Sequence, residues 1–251
     1  MVHFIGAGPG APDLITLRGK RLLETADAVI YAGSLVNPAL LEYSKPGCAV
    51  YNSAQMPLEE VLAVMEDFES RGQLTVRLHT GDPSVYGAIR EQMDRLSALG
   101  IPYEVCPGVS SFCGAAAALK AEYTLPGVSQ TVILTRMAGR TSVPEPEDIV
   151  RLAEHQATMV IFLSAGELDE LSEKLVRGGY PPETPAAVVY KATWPEEKVL
   201  RCTVGTLAQT AAENSVSKTA LITVGRFLGQ DYELSKLYDR HFETGFRKAQ
   251  P

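Results

Sequence analysis

Short apolar runs alternate with longer amphipathic segments along nearly the whole chain. This rhythm restricts the fold more than any other feature. Strands buried on both faces and helices with a single apolar stripe satisfy one another only when stacked in layers. Val2–Gly6 reads as a strand and Leu17–Thr25 as a helix that Thr16 is placed to cap. Ala28–Tyr31 is the next strand. Leu58–Ser70 carries Val61, Leu62, Met65 and Phe68 at helical spacing, which predicts one buried stripe. A strand over residues 74–78, a helix over 85–99 ending at Gly100, the strand Tyr103–Cys106 and the Ala-rich helix Ser111–Leu119 follow.

The rhythm lapses over residues 120–126 and resumes. Strands are predicted over 131–135 and 159–163, with helices over 147–154 and Leu168–Arg177. Two β-rich stretches at 186–190 and 199–203 precede a helix over 204–212 and a last strand, Ala220–Val224. The expectation is an α/β chain of two domains, 1–121 and 122–251, with mostly parallel central sheets and an interdomain cleft. Its 251 residues, 45% hydrophobic, suffice for such cores. The polar tail beyond Phe227 reads as only partly ordered.

Composition narrows the function classes. A net charge of -7 argues against a nucleic-acid partner. The later apolar runs have strand length and no basic leader precedes the first strand, so a cytoplasmic protein without a membrane partner is expected. Cys48, Cys106, Cys113 and Cys202 form no CxxC pair, and the four histidines are scattered. Neither a disulfide framework nor an intrinsic metal site is expected.

Three glycine-containing strings follow predicted strands. Gly6-Ala7-Gly8-Pro9-Gly10, with Ala11 as a final small residue, invites a dinucleotide reading and hence an NAD-dependent oxidoreductase. Two facts oppose it. Pro9 lacks the N–H that a pyrophosphate needs. The second strand ends Ile30-Tyr31-Ala32-Gly33, with no acid to hold a ribose, and Asp27 falls at the wrong end. A tight, ligand-free turn stays open. Gly19-Lys20 lies too far from Gly10 for a triphosphate loop. The second string is His79-Thr80-Gly81-Asp82-Pro83-Ser84-Val85-Tyr86-Gly87, at a strand's carboxyl end, where open α/β sheets bind ligands. Gly81 permits close approach of a ligand, Pro83 suits a first helical turn, and Asp82 alone reads as that helix's cap. The third, Pro107-Gly108-Val109-Ser110-Ser111, serves equally as a cap or as a ligand-binding turn.

Together the three strings resemble the tetrapyrrole methylase family, two-domain α/β enzymes that use S-adenosylmethionine. The resemblance spans nearly the whole chain. Tyr31-Ala32-Gly33-Ser34-Leu35-Val36, Leu134-Thr135-Arg136 with Gly139-Arg140-Thr141, and Tyr190-Lys191-Ala192-Thr193-Trp194-Pro195 resemble the branch that methylates carbon 11 of precorrin-4 or cobalt-precorrin-4 in cobalamin biosynthesis. Another ring position of a tetrapyrrole, on uroporphyrinogen III or another precorrin, is the alternative within the family. One departure is informative. Uroporphyrinogen methylases carry an Asp just after the tyrosine of the second strand, and here that position is Ala32.

The resemblance implies a homodimer that converts S-adenosyl-L-methionine to S-adenosyl-L-homocysteine. Its first domain would hold a substrate trough and the Gly-rich loop, and its second would complete the cofactor site. By motif, the cofactor residues are Pro9, Thr80, Gly81, Asp82, Val85, Ser110, Ser111, Leu163, Ala192, Thr219 and Ala220, with Asp82 also the candidate catalytic residue. The attacking atom is a carbon of an electron-rich macrocycle, so no nucleophilic side chain is required. The substrate carries many carboxylates, which arginine forks bind well. Arg136 and Arg140, flanking a Gly-containing loop, lead the substrate-binding candidates; Lys191, Arg90 and Tyr86 follow.

Overall fold

Val2–Gly6 (β1) is buried along its entire length, with helices on both faces. In the computed structural model, described over residues 1–33 and 35–250, the chain divides into two units. The first comprises Met1–Ala118 and Lys191–Glu197, the second Leu119–Tyr190 and Lys198–Pro251. Ser34, part of one family string above, lies outside the described residues.

In the first unit, β1 is joined by Ala28–Tyr31 (β2), Ala49–Asn52 (β3), Thr75–His79 (β4) and Tyr103–Cys106 (β5) in the order β3-β2-β4-β1-β5. All four pairings are parallel. Leu17–Thr25 (α1) starts at the expected cap, the Thr16 hydroxyl accepting the Gly19 N–H at 3.1 Å. Leu23 of α1 packs with Ile5, Val29, Val76 and Leu78. On the other face Leu58–Ser70 (α2) buries the stripe read from its spacing, and Val61, Leu62 and Met65 meet Val2, Phe4 and Ile30. Leu96 of Arg90–Ala98 (α3) joins them, and Ser111–Leu119 (α4) follows β5.

In the second unit Val132–Arg136 (β6), Thr158–Phe162 (β7), Pro185–Tyr190 (β8), Lys198–Thr203 (β9) and Ala220–Val224 (β10) run in the order β6-β7-β10-β8-β9. Only β6–β7 is parallel there; the other three pairings are antiparallel. Over both sheets five of the eight pairings among the described residues are parallel. Ile149–Ala153 (α5), Leu168–Arg177 (α6) and Leu207–Glu213 (α7) cover the core around Met159, Ile161, Val188 and Ile222.

Several elements differ from expectation. α3 begins at Arg90, not 85, because Tyr86 (φ 56°) and Ala88 (φ 49°) are left-handed and cannot enter a right-handed helix. Asp82 and Pro83 therefore open a turn rather than a helix. β3 escaped notice because it is a short edge strand, exposed or half-buried throughout, with no clear alternation. Beyond residue 228 the described tail carries one short 3-10 turn, Lys236–Tyr238. The Arg247 guanidinium donates to the carbonyls of Leu237 and Asp239, at 2.9 and 2.6 Å, and cinches it into a turn.

Candidate active site

The strand order brings the three glycine-containing strings together. β4, β1 and β5 are parallel neighbours, so residues 80–87, 7–11 and 107–110 leave the same edge of one sheet. Ligands bind at this carboxyl edge in open α/β sheets. Asp27 lies at the opposite edge, accepting the Leu74 N–H at 2.7 Å and pairing with Lys45, so it cannot hold a ribose at the loops.

The loops are fastened to one another by backbone. The Ala7 N–H donates to the His79 carbonyl at 2.7 Å, and Gly8 and Gly81 exchange two hydrogen bonds of 3.3 and 2.9 Å. A methyl group at Gly6 would collide with the Gly108 backbone and the Gly81 carbonyl. Gly8 is also left-handed, at φ 81°. Asp82 binds the second loop to the third: its Oδ2 accepts the Gly108 N–H at 2.8 Å, and its Oδ1 accepts the Ser84 N–H at 2.8 Å and the Ser84 hydroxyl. Burial raises the Asp82 pKa, but these donors outweigh it and hold the carboxyl below its ordinary value. An acid so occupied is a weak base, and its hydrogen bonds tie the loop after β4 to the loop after β5.

Pro9 is buried beside Gly114 of α4. Val85 sits half-buried in the turn, its N–H on the Asp82 carbonyl at 3.2 Å. Ser110 is buried and its carbonyl accepts the Cys113 N–H, while Ser111 opens α4. The Thr80 hydroxyl oxygen is buried with no hydrogen-bond partner among the described residues, which leaves it available to a ligand. His79 is neutral: burial, then the Arg77 charge, pushes its pKa down to about 3, so it too is a poor proton acceptor.

In the second unit the carboxyl ends of β6, β7 and β8 and the amino end of β10 share one edge, as Arg136 pairs with Phe162 and Ala220 with Tyr190. Leu163, just beyond β7, is 65% exposed and left-handed at φ 55°; Thr219, just before β10, has φ 56°. Each costs about 1–2 kcal/mol relative to right-handed backbone. Leu163 thus combines exposure with strained backbone at a strand end. Ala192, by contrast, is buried in the segment that joins the first unit.

Residues 1–208 match the family model for Tetrapyrrole (Corrin/Porphyrin) Methylases. The chain is a tetrapyrrole methylase. Among its relatives, a cobalt-precorrin-4 C(11)-methyltransferase of Methanocaldococcus jannaschii is 53% identical over 249 residues, covering 99% of this chain and 96% of the relative. The X-ray structure of a cobalamin biosynthetic enzyme, cobalt precorrin-4 methyltransferase, superposes with a TM-score of 0.89 at 48% identity, covering 91% of this chain and 96% of that one. A uroporphyrin-III C-methyl transferase from Thermus thermophilus complexed with S-adenyl homocysteine gives 0.74 at 28% identity, covering 90% and 92%.

The substrate candidates of this tetrapyrrole methylase are less free than their sequence implied. The Arg136 guanidinium closes its own loop, donating to the carbonyls of Met137 (2.9 Å), Thr141 (3.1 Å) and Ser142 (2.8 Å). Arg90 is exposed and paired with Asp94 one helical turn along α3. Lys191 lies 3.3 Å from Glu196 and over the Trp194 ring. Tyr86 is 45% exposed in the turn before α3. Arg140 is exposed and makes no hydrogen bond or ion pair among the described residues, which leaves its fork available. Asn37 was missed in the sequence: its Nδ2 donates to the Gly10 carbonyl at 2.9 Å. Its only signal was the turn-opening Asn37-Pro38 pair.

Proposed function

We propose that this tetrapyrrole methylase transfers a methyl group from S-adenosylmethionine to carbon 11 of precorrin-4 or cobalt-precorrin-4 in cobalamin biosynthesis, as a cytoplasmic homodimer. The observation that carries the reading is 53% identity across 99% of the chain with a cobalt-precorrin-4 C(11)-methyltransferase. The residues at the sheet edges fit the methyl donor. A buried Thr80 hydroxyl without a hydrogen-bond partner among the described residues, beside loops that glycines let pack backbone to backbone, supports a ligand held mainly by main-chain groups. Pro9, Gly81, Asp82, Val85, Ser110, Ser111 and Ala192 are its proposed partners in the first unit, and Leu163, Thr219 and Ala220 in the second. The donor supplies an electrophilic methyl group on a sulfonium. The chain's own residues orient donor and acceptor, which contributes up to ~7–11 kcal/mol of barrier lowering. No side chain needs to act as a nucleophile.

The oxidoreductase alternative loses its physical basis. A pyrophosphate needs a helix N-terminus at the Gly-rich turn. Here residues 6–10 are buried, a 3-10 turn at Pro12–Leu14 intervenes, and α1 begins only at Leu17. Calorimetry is expected to give saturable binding of S-adenosylhomocysteine and no heat with NAD. The opposite result overturns the reading. Incubation with donor and pathway intermediate, followed by NMR, then locates the methylated carbon.

The two arginines are expected to separate. Arg140→Ala should leave stability within about 0.5 kcal/mol. It should weaken tetrapyrrole binding by up to ~1.5–3 kcal/mol, less in an open trough, with loss growing at low salt. Arg136→Ala strips donors from three carbonyls and should lower stability by about 1–2 kcal/mol. Titration of the tetrapyrrole beside thermal melts checks both. Wild-type tetrapyrrole affinity in Arg140→Ala removes that residue from the substrate site.

A further inference from the structure

The segment Lys191–Glu197 lies in sequence between β8 and β9, two strands of the second sheet, yet it packs as part of the first unit. Its contacts there fall on the Gly-rich loop. The Thr193 hydroxyl oxygen accepts the Ala11 N–H at 2.9 Å. Cβ atoms built at Gly10 would run into the Trp194 ring, and at Gly114 into Pro9, with the Thr193 methyl in contact distance beside it. The loop after β1 is thus packed against both α4 and this segment. The segment is itself braced: Thr193 donates its N–H to Glu197 at 2.6 Å, and Trp194 and Lys191 close a turn at 3.0 Å. Thr193 is left-handed at φ 68°, a conformation that a β-branched residue adopts only where its surroundings impose it.

Ala11 follows Pro9 and Gly10 and precedes Pro12, so its N–H is the one donor between two prolines in that stretch besides Gly10. Asn37 holds the Gly10 carbonyl of the same loop, and Thr193 is the side chain that holds the Ala11 N–H. We propose that Thr193 is a positioning residue for the methyl-donor site, its hydroxyl fixing the Gly-rich loop through the Ala11 N–H. Trp194 backs the same loop by packing on Gly10. The inference rests on the methyltransferase reading.

The test compares Thr193→Val, which keeps the β-branch and removes the acceptor, with Thr193→Ser, which keeps the acceptor. Calorimetry with S-adenosylhomocysteine is expected to show about tenfold weaker binding for the valine variant and near-wild-type binding for the serine variant. The KM for the donor should rise in parallel, while the turnover rate at saturating donor stays within about twofold of wild type. Equal affinity in valine variant and wild type overturns the proposal. So does equal weakening by valine and serine, which would reduce Thr193 to packing. If Thr193→Val does not fold, Thr193→Ala carries the same expectation, and failure of both to fold also overturns a positioning role. Absence of S-adenosylhomocysteine binding by the wild-type protein sinks the methyltransferase reading instead.

Discussion

Gly6→Ala is expected to destabilise the protein by about 3 kcal/mol or more and to abolish measurable binding of S-adenosylhomocysteine, at the upper end of overpacking costs. The added methyl would be driven into the Gly108 backbone and the Gly81 carbonyl, and neither is the movable tip of a flexible side chain. Relief requires the strands to part. β1 lies between β4 and β5, so the displacement reaches all three motif-bearing loops at once. The paired hydrogen bonds between Gly8 and Gly81, and the Ala7 to His79 bond, would lengthen with it. Gly47→Ala is the matching control. Unlike Gly6 it is left-handed, at φ 82°, and has open space around it, so its cost is backbone strain alone, about 1–2 kcal/mol. Thermal unfolding and calorimetry of the two variants separate close approach from strain. Gly6→Ala melting and binding like wild type would mean that the junction has room that its backbone contacts deny.

Most of the fold was legible because burial writes itself into sequence. β1 is buried at every position and reads as an apolar run broken by His3, and α2 shows its buried stripe at helical spacing. Parallel pairing in the first sheet followed from the alternation of strands and helices. The three antiparallel pairings of the second sheet did not, because two successive strands with no helix between them carry no statement of direction. The candidate site residues were legible as strings and misread as geometry. Asp82-Pro83 has the chemistry of a helix start, but left-handed Tyr86 and Ala88 stop the helix, and the sequence around them holds no residue that demands that conformation. Arg136 offered a free fork on paper. The carbonyls that occupy it come from residues 137, 141 and 142, a loop closure that charge and spacing cannot announce. The packing of Lys191–Glu197 with the first unit is a long-range choice, which no local pattern records.

Asp82→Ala is expected to cut methyl transfer by about 100-fold, the scale of a 1 Å misplacement of bound groups, while the protein still folds. The carboxylate accepts the Gly108 N–H through one oxygen and the Ser84 N–H and hydroxyl through the other. Removing it releases the loop after β4 from the loop after β5. Hydrogen bonds to a charged group contribute ~1.5–3 kcal/mol each when shielded. Here Asp82 is half-buried and Ser84 exposed, so water replaces part of the loss and a stability change of about 1–2 kcal/mol is expected. The effect on turnover should therefore exceed the effect on melting, which distinguishes a positioning carboxylate from a structural one. Asp82→Asn offers one acceptor oxygen and sets an amide against the remaining donors, so it should fall between alanine and wild type. The acid limb gives an independent reading. Hydrogen bonds hold the folded carboxyl below its ordinary value of 3.8, so its contribution is complete above that pH and is lost as pH falls through the lower folded value. Between those two values wild type should lose stability more steeply than Asp82→Ala, because the variant has no such proton to take up. Parallel acid unfolding curves, together with wild-type turnover in the alanine variant, would show that the loops keep their register without this carboxylate.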